Sequence, residues 1–310
     1  MENLSEQLAQ TMSKSKYGDR YKKLVSEVLN DEEVKSFIQA NSDKLEPDAV
    51  QHSIAKLYEF VQERNKVKKG EDSTVKGYVP TLTISKKLID ISYVPTEEKL
   101  RKMRENKIFK RIHAVAMPKN IKNVSLDDFD LSENEYRINA MEKVTDFISA
   151  YTSSPDKPHP GMYLYGEFGV GKTYLMAAMA NELAKSGFNV TLVHFPSFAV
   201  EMKNSITNNQ VSDKLDAIKK SQILILDDIG ADSMSSWIRD DILGVILEYR
   251  MQNSLTTFFT SNFSMDQFEK EHLSVNTRGD EEPLKAKRIM QRVRFLSREV
   301  AMFGKNRRPQ

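Results

Sequence analysis

The sequence predicts an α/β fold: a largely parallel sheet with helices on both faces, preceded by a smaller, mainly helical N-terminal domain. Three observations predict it. In the C-terminal part, short apolar runs alternate with amphipathic stretches, as strand–helix–strand units require. A glycine-rich loop separates one such run from the helix after it, in LYGEFGVGKTYL at residues 164–175. Up to about Asn65 the apolar residues instead recur at helical spacing, in YKKLVSEVLNDEEVKSFIQANSDKL and in PDAVQHSIAKLYEFVQERN, where Pro47 suits a first helical turn.

The composition bounds the function classes. The chain has 310 residues, 39% hydrophobic and 29% charged, which suits a globular protein of two domains. No apolar run approaches a membrane span and the first twenty residues lack a secretory apolar region, so a cytoplasmic protein is expected, with no membrane partner. Zero cysteines exclude disulfides, thiolate metal sites and cysteine nucleophiles, and the five histidines have no zinc-ligand spacing. The net charge is only +2, yet residues 284–308 carry nine Lys or Arg against one acid, Glu299. Such a run is either a solvated face or a footprint for phosphate.

Taken in order, the helical stripes give way to GYVPTLTISKKLIDISYVP at residues 77–95, whose alternation about Lys86 and Lys87 predicts a hairpin. TEEKLRKMRENKIFKRIHAVAM reads as a charged helical segment leading to Pro118, where the composition shifts. The resulting division is an N-terminal domain over residues 1–106, a linker and entry segment over 107–135 and a nucleotide-binding domain over 136–310. In the last, strands are predicted at 162–165, 189–195, 222–230, 256–262 and 299–303, each apolar enough to be covered on both faces. Ligands of such sheets lie at the carboxyl ends of the strands, where every candidate catalytic residue is expected to fall.

The loop runs Gly166, Glu167, Phe168, Gly169, Val170, Gly171, Lys172, Thr173, with Tyr174 beside it. Glycines let the backbone curl so that successive N–H groups meet one phosphate at the positive end of the next helix. Lys172 is expected to reach the β- and γ-phosphates and Thr173 to ligate Mg²⁺. ILILDD ends a strand in two carboxylates: Asp227 is expected to orient Mg²⁺ through its water shell, and Asp228 to polarise the attacking water. Asn262, ending the next strand, can hold that water or sense the γ-phosphate. Arg288 and Arg292 stand four apart on one helix face, where they could stabilise phosphate charge in the same subunit or in a neighbour.

Together, YLYGEFGVGKT, ILILDDIGADSMSSWIRDDIL, TTFFTSNFS and RIMQRV resemble the AAA+ ATPases that load replicative helicases, most closely the primosomal DnaI-type loaders of low-GC Gram-positive bacteria. The resemblance implies an AAA+ P-loop ATPase that uses ATP and Mg²⁺ to place a hexameric replicative helicase on single-stranded DNA. It also implies a helicase-gripping N-terminal domain, other primosome partners and self-association through the ATPase domain. Lys172, Thr173, Asp227, Asp228 and Asn262 then take the family's phosphate, metal, acidic-pair and sensor roles, and one of Arg288 and Arg292 is the finger acting on a neighbour's ATP. Single-stranded DNA contacts are implied for residues 196–222. Two departures stand out. The stretch that carries a zinc site in some members, here RNKVKKGEDSTVKGYVPTL, has neither Cys nor His, so no zinc is expected. Many AAA+ enzymes carry Glu where this chain has Asp228, so slow turnover is expected. The competing readings are an AAA+ helper of DNA transposition, a small-molecule kinase, and a nucleotide-gated adaptor without significant hydrolysis.

Overall fold

A computed structural model of the chain describes residues 16–117, 124–131, 134–231, 234–274 and 281–307. They form two compact units that meet in sequence at Glu105 and Asn106. Arg308, counted in the basic run above, lies outside the described residues, as does Pro118.

The first unit holds helices α1 (Lys16–Asn30), α2 (Glu32–Ala40), α3 (Ala49–His52) and α4 (Ile54–Lys68), followed by a hairpin of β1 (Tyr78–Ser85) and β2 (Leu88–Pro95). Val28, Val34, Leu57 and Phe60 from the helices pack with Leu82 and Ile89 from the hairpin into one small core. Asp31 begins α2 by accepting the N–H groups of Glu33 and Val34, at 3.1 and 3.3 Å. The same carboxylate takes the Arg64 guanidinium from α4 at 2.7 and 2.5 Å, so one side chain both caps a helix and fixes its neighbour. The hairpin turns at Lys86 and Lys87, both in the left-handed region with φ of 51° and 63°. That is the two-residue turn matching the twist of paired strands, made here without the usual Asn-Gly.

The stretch RNKVKKGEDSTVKGYVPTL, after α4, is closed by hydrogen bonds. Glu63 is buried and accepts the Thr74 N–H and the Lys66 ammonium, each at 2.6 Å. The Ser73 hydroxyl lies 2.8 and 2.7 Å from the Val75 and Tyr78 carbonyls. These bonds hold Glu63 below the usual carboxylate range, Lys66 first and Thr74 next. Its contribution to stability is therefore complete above the unfolded value and is lost as pH falls through the lower folded one. Glu63→Gln and Ser73→Ala should each destabilise this unit by about 1–3 kcal/mol, and Glu63→Gln should flatten its acid-side stability. A chelator should leave the unfolding midpoint of the unaltered chain in place. Thermal unfolding across pH, with and without EDTA, measures all three.

Helix α5 (Glu97–Phe109) spans the division and buries no residue, in keeping with its charge. The strand β3 (Ile112–Val115) follows directly. This corrects the sequence reading, which ran the charged helical segment on to Met117. Four residues with an exposed His113 carry too little apolar pattern to be seen beside a helix.

The second unit is a six-stranded sheet in the order β3-β5-β6-β7-β4-β8, with β4 (Gly161–Tyr165), β5 (Val190–His194), β6 (Ile223–Asp227), β7 (Thr257–Ser261) and β8 (Ser297–Ala301). Every pairing is parallel. The sheet starts its last strand two residues before the predicted position. Helices α6 (Glu135–Ser153) and α7 (Lys172–Lys185) cover one face through Val144, Phe147, Leu175 and Met179. The other face is covered by α8 (Phe195–Ser205), α9 (Val211–Lys219), α10 (Gly244–Gln252) and α11 (Pro283–Leu296), through Phe198, Ile218, Ile246 and Met290. Because all strands point the same way, β4, β5, β6 and β7 deliver their C-terminal residues to one rim. Among the described residues no helix is long and apolar enough to cross a membrane.

Candidate active site

The loop leaves β4 at Tyr165 and enters α7 at Lys172 through three glycines at positive φ, Gly166, Gly169 and Gly171, whose conformations no other residue takes easily. Gly166 has φ 155°, and a Cβ there would stand 1.9 Å from the Met302 carbonyl oxygen. Gly171, with φ 99°, is the residue at which α7 begins. The curled backbone thus ends at the N-terminus of a fourteen-residue helix, the place where phosphate binds without any side chain.

Lys172 is buried, and its ammonium donates to the Gly166 and Glu167 carbonyls, each at 2.8 Å, and to Asn262 Oδ1 at 2.9 Å. Asn262 in turn donates through Nδ2 to Asp228 Oδ1 at 3.2 Å, linking the lysine to the acidic pair. Asp227 Oδ1 accepts the Thr173 hydroxyl at 2.8 Å and the Thr260 hydroxyl at 2.7 Å. Burial pushes the Asp227 carboxyl up and Asp228 alongside does the same, while the hydroxyl bonds oppose them. Asp228 itself sits at φ +60°, a left-handed conformation that Asp tolerates better than most side chains. Its N–H donates to Thr260 Oγ1 at 2.9 Å, and Ile229 N–H donates to the Thr260 carbonyl at 2.9 Å. The strained turn is therefore pinned by the strand beside it. His194, paired in register with Asp227, brings Nε2 to 3.9 Å from Asp228 Oδ2.

These groups open on a cavity of about 580 Å³, enough for a nucleotide. Lys172, Thr173, Asp227, Asp228 and Asn262 line one part of it, and Val124, Phe129 and Tyr174 an apolar part. Arg137, 3% exposed, lies over the Phe129 ring at 4.1 Å, donates through Nε to the Asp130 carbonyl at 2.7 Å and bonds the Val170 carbonyl. It fixes the outer turn of the loop. Burial works hardest against its charge, Arg307 adds to that, and Asp130 supports it. A second cavity of about 620 Å³, between residues 158–160 and the start of β8, is slightly larger but contains no part of the loop. The chemistry belongs to the first.

The fit to a magnesium nucleotide rests on the donor set. Thr173 and Asp227 offer two oxygens bonded to each other at the end of the loop, as a hard cation requires, and Lys172 stands where it can meet phosphate.

Of the loop residues named from the sequence, Phe168, Gly169, Gly171, Lys172, Thr173 and Tyr174 line the cavity. Gly166 and Glu167 act through their carbonyls, and the Val170 side chain is wholly buried in the core, so only its backbone serves the loop. Neither Arg288 nor Arg292 lines the cavity. Arg288 is exposed on α11, whereas Arg292 donates to the Gly244 carbonyl and to Glu248 Oε2 of α10, both at 3.0 Å. Residues 196–222 form most of α8, a short 3₁₀ turn and α9, with Val200 and Ile206 more than half exposed. Sequence reasoning missed His194, Thr260, Arg137, Phe129 and Arg307. His194 was accessible from its place at a strand's carboxyl end; the others have no local signal.

The profile described as the primosomal protein DnaI N-terminus matches residues 1–93, and that of the IstB-like ATP binding protein matches residues 81–298. The replicative helicase loader DnaI of Bacillus subtilis (strain 168) is 34% identical over 99% of this chain and 99% of its own. The replicative helicase loader DnaC of Escherichia coli (strain K12) is 25% identical over 48% of this chain and 59% of its own. A crystal structure of DnaI, 43% identical, superposes with a TM-score of 0.57 over 66% of this chain and 99% of that one.

Proposed function

The chain belongs to the DnaI-type replicative helicase loaders with an IstB-like ATP-binding core, and from that premise we propose that it loads the replicative DNA helicase onto single-stranded DNA at the expense of ATP. The observation that carries the ATPase half is the continuous chain Lys172–Asn262–Asp228, beside the Thr173–Asp227 pair. Bound with Mg²⁺, ATP supplies the γ-phosphoryl group that is transferred to water. Lys172 and the amides at the start of α7 hold and neutralise the phosphates, and Thr173 and Asp227 hold the metal. Asp228 accepts the proton of the attacking water at its carboxylate, while Asn262 orients that carboxylate and senses whether Lys172 is engaged by phosphate.

Hydrolysis is slow, since the short Asp228 side chain reaches water less directly than a glutamate, and rises on assembly or with DNA. The division of labour follows the two units: residues 1–105 grip the hexameric helicase, residues 106–310 form the ATPase and self-associate, and residues 196–222 contact single-stranded DNA. A match to the DnaI N-terminal profile over residues 1–93 supports the loader over a transposition helper, which needs no such domain.

The test is capture of the host's replicative helicase by the full chain, with and without ATP. Capture by the full chain, and by residues 1–105 alone, is expected. Absence of capture, or equal capture by a chain lacking those residues, overturns the reading.

A further inference from the structure

Arg239 is 1% exposed and sits in a widened, π-helical turn, Ile238–Leu243, that leads straight into α10. Such turns often mark functional positions. All three guanidinium nitrogens donate. Nε and Nη2 reach the two carboxylate oxygens of Asp240 at 2.8 and 2.9 Å, Nη2 also reaches Glu282 Oε2 at 2.5 Å, and Nη1 reaches the Leu273 carbonyl at 3.0 Å. Lys285 closes the cluster, 2.6 Å from Glu282 Oε1 and 3.4 Å from Asp240 Oδ2. Arg239 holds the Asp240 carboxyl below the usual carboxylate range, and Lys285 first and Arg239 next do the same for Glu282.

Three paths meet at this one side chain. The chain leaving β6 after Asp228 next forms the turn that carries Arg239. The chain leaving β7 passes Asn262 and Phe263 into a second π-helical turn, Phe268–Leu273, whose last carbonyl Arg239 takes. Within it the His272 ring centre lies 4.0 Å from that of Phe263. The third path is α11: Glu282 stands directly before its first residue, Pro283, and donates its N–H to the Ser274 carbonyl at 2.6 Å. Buried Ala286, Ile289 and Met290 keep α11 on the sheet, but apolar contacts have no direction. A planar fork with fixed bonding directions sets where the helix starts and how it is turned.

We propose that Arg239 is a positioning residue: through Glu282 it holds the start of α11, and so sets the placement of the arginine that this helix presents to the nucleotide of a neighbouring subunit. This deepens the ATPase reading and rests on it, and on the finger being Arg288 or Arg292. Arg239 itself does not line the nucleotide cavity.

The experiment measures ATP affinity and steady-state hydrolysis for the full-length protein and for Arg239→Gln, Glu282→Ala, Lys172→Ala, Arg288→Ala and Arg292→Ala, alone and mixed in pairs under conditions of assembly. Glu282→Ala leaves Arg239 its bonds to Asp240 and the Leu273 carbonyl, so it cuts the tie to α11 even where Arg239→Gln fails to fold. A displaced finger predicts hydrolysis about a hundredfold lower at unchanged ATP affinity, the scale for misplacing a reacting group by about 1 Å. Mixing either variant with Lys172→Ala, whose arginines are held in place, should restore part of the rate. Mixing it with the arginine variant that has lost activity should restore none, because neither protein then presents a finger. Unaltered hydrolysis by Glu282→Ala overturns the proposal. So does rescue by the arginine variant and not by Lys172→Ala, the pattern of damage to the variant's own site. If both arginine variants keep full activity, or Lys172→Ala restores neither, the finger reading fails and this proposal with it. Failure of the unaltered protein to bind ATP overturns the ATPase reading itself.

Discussion

Lys172→Ala abolishes ATP-dependent helicase loading, lowering the hydrolysis rate by about 10²–10³, the scale for removing one preorganised charge-stabilising donor. The ammonium is buried and bonded to Asn262 Oδ1, so water does not replace it. The same variant keeps its grip on the helicase, because the N-terminal unit has a core of its own to which Lys172 contributes nothing. Steady-state phosphate release and helicase capture on one preparation separate the two effects. A variant that loses both together shows that the units do not divide the work.

The second large effect concerns the arginines of α11. A finger acting on a neighbour's ATP is worth about 10³–10⁵ in rate, far more than a solvated arginine. Arg288 is exposed and ready to meet another subunit, whereas Arg292 reaches one only by releasing Glu248 and the Gly244 carbonyl. Substituting the true finger should reduce hydrolysis by that factor, and mixing that variant with Lys172→Ala should restore part of it, since each protein supplies what the other lacks. Arg288→Ala and Arg292→Ala are run side by side, with Glu248→Gln to loosen Arg292 without removing it. If neither arginine variant loses activity, or mixing restores none under conditions of assembly, α11 is a basic face instead. The same variants should then bind single-stranded DNA more weakly, with a flatter salt dependence.

What could be read from the residues and what could not follow physical lines. The strands β4 to β7 are buried on both faces, so each carries a short apolar run that stands out from the helices between them. The hairpin was visible from its alternation although its turn holds two lysines, because pleat periodicity is a stronger signal than turn chemistry at two positions. An edge strand as short as β3 offers no such run. The buried cations were invisible for a different reason. Arg137 and Arg250 are less than 5% exposed, yet arginine is ordinarily a surface residue, and nothing in a linear sequence announces the carbonyls that will surround it. The residues at the ends of β6 and β7 were legible because the sheet's topology fixes where strand ends meet. Arg307 was not, since its backbone N–H reaches the Gly169 carbonyl by the path of a loop.

The ammonium of Lys172 also bears on how affinity should be understood. It is satisfied by two carbonyls of its own loop and by Asn262. Binding is then an exchange of partners at a filled site, not the filling of a void. The free energy measured is the difference between two bonded states, so a modest dissociation constant is compatible with very strong contacts to phosphate. Release of product runs the exchange backwards, with the loop's own carbonyls and Asn262 reclaiming the charge as the phosphate leaves, which lowers the cost of resetting the site between cycles.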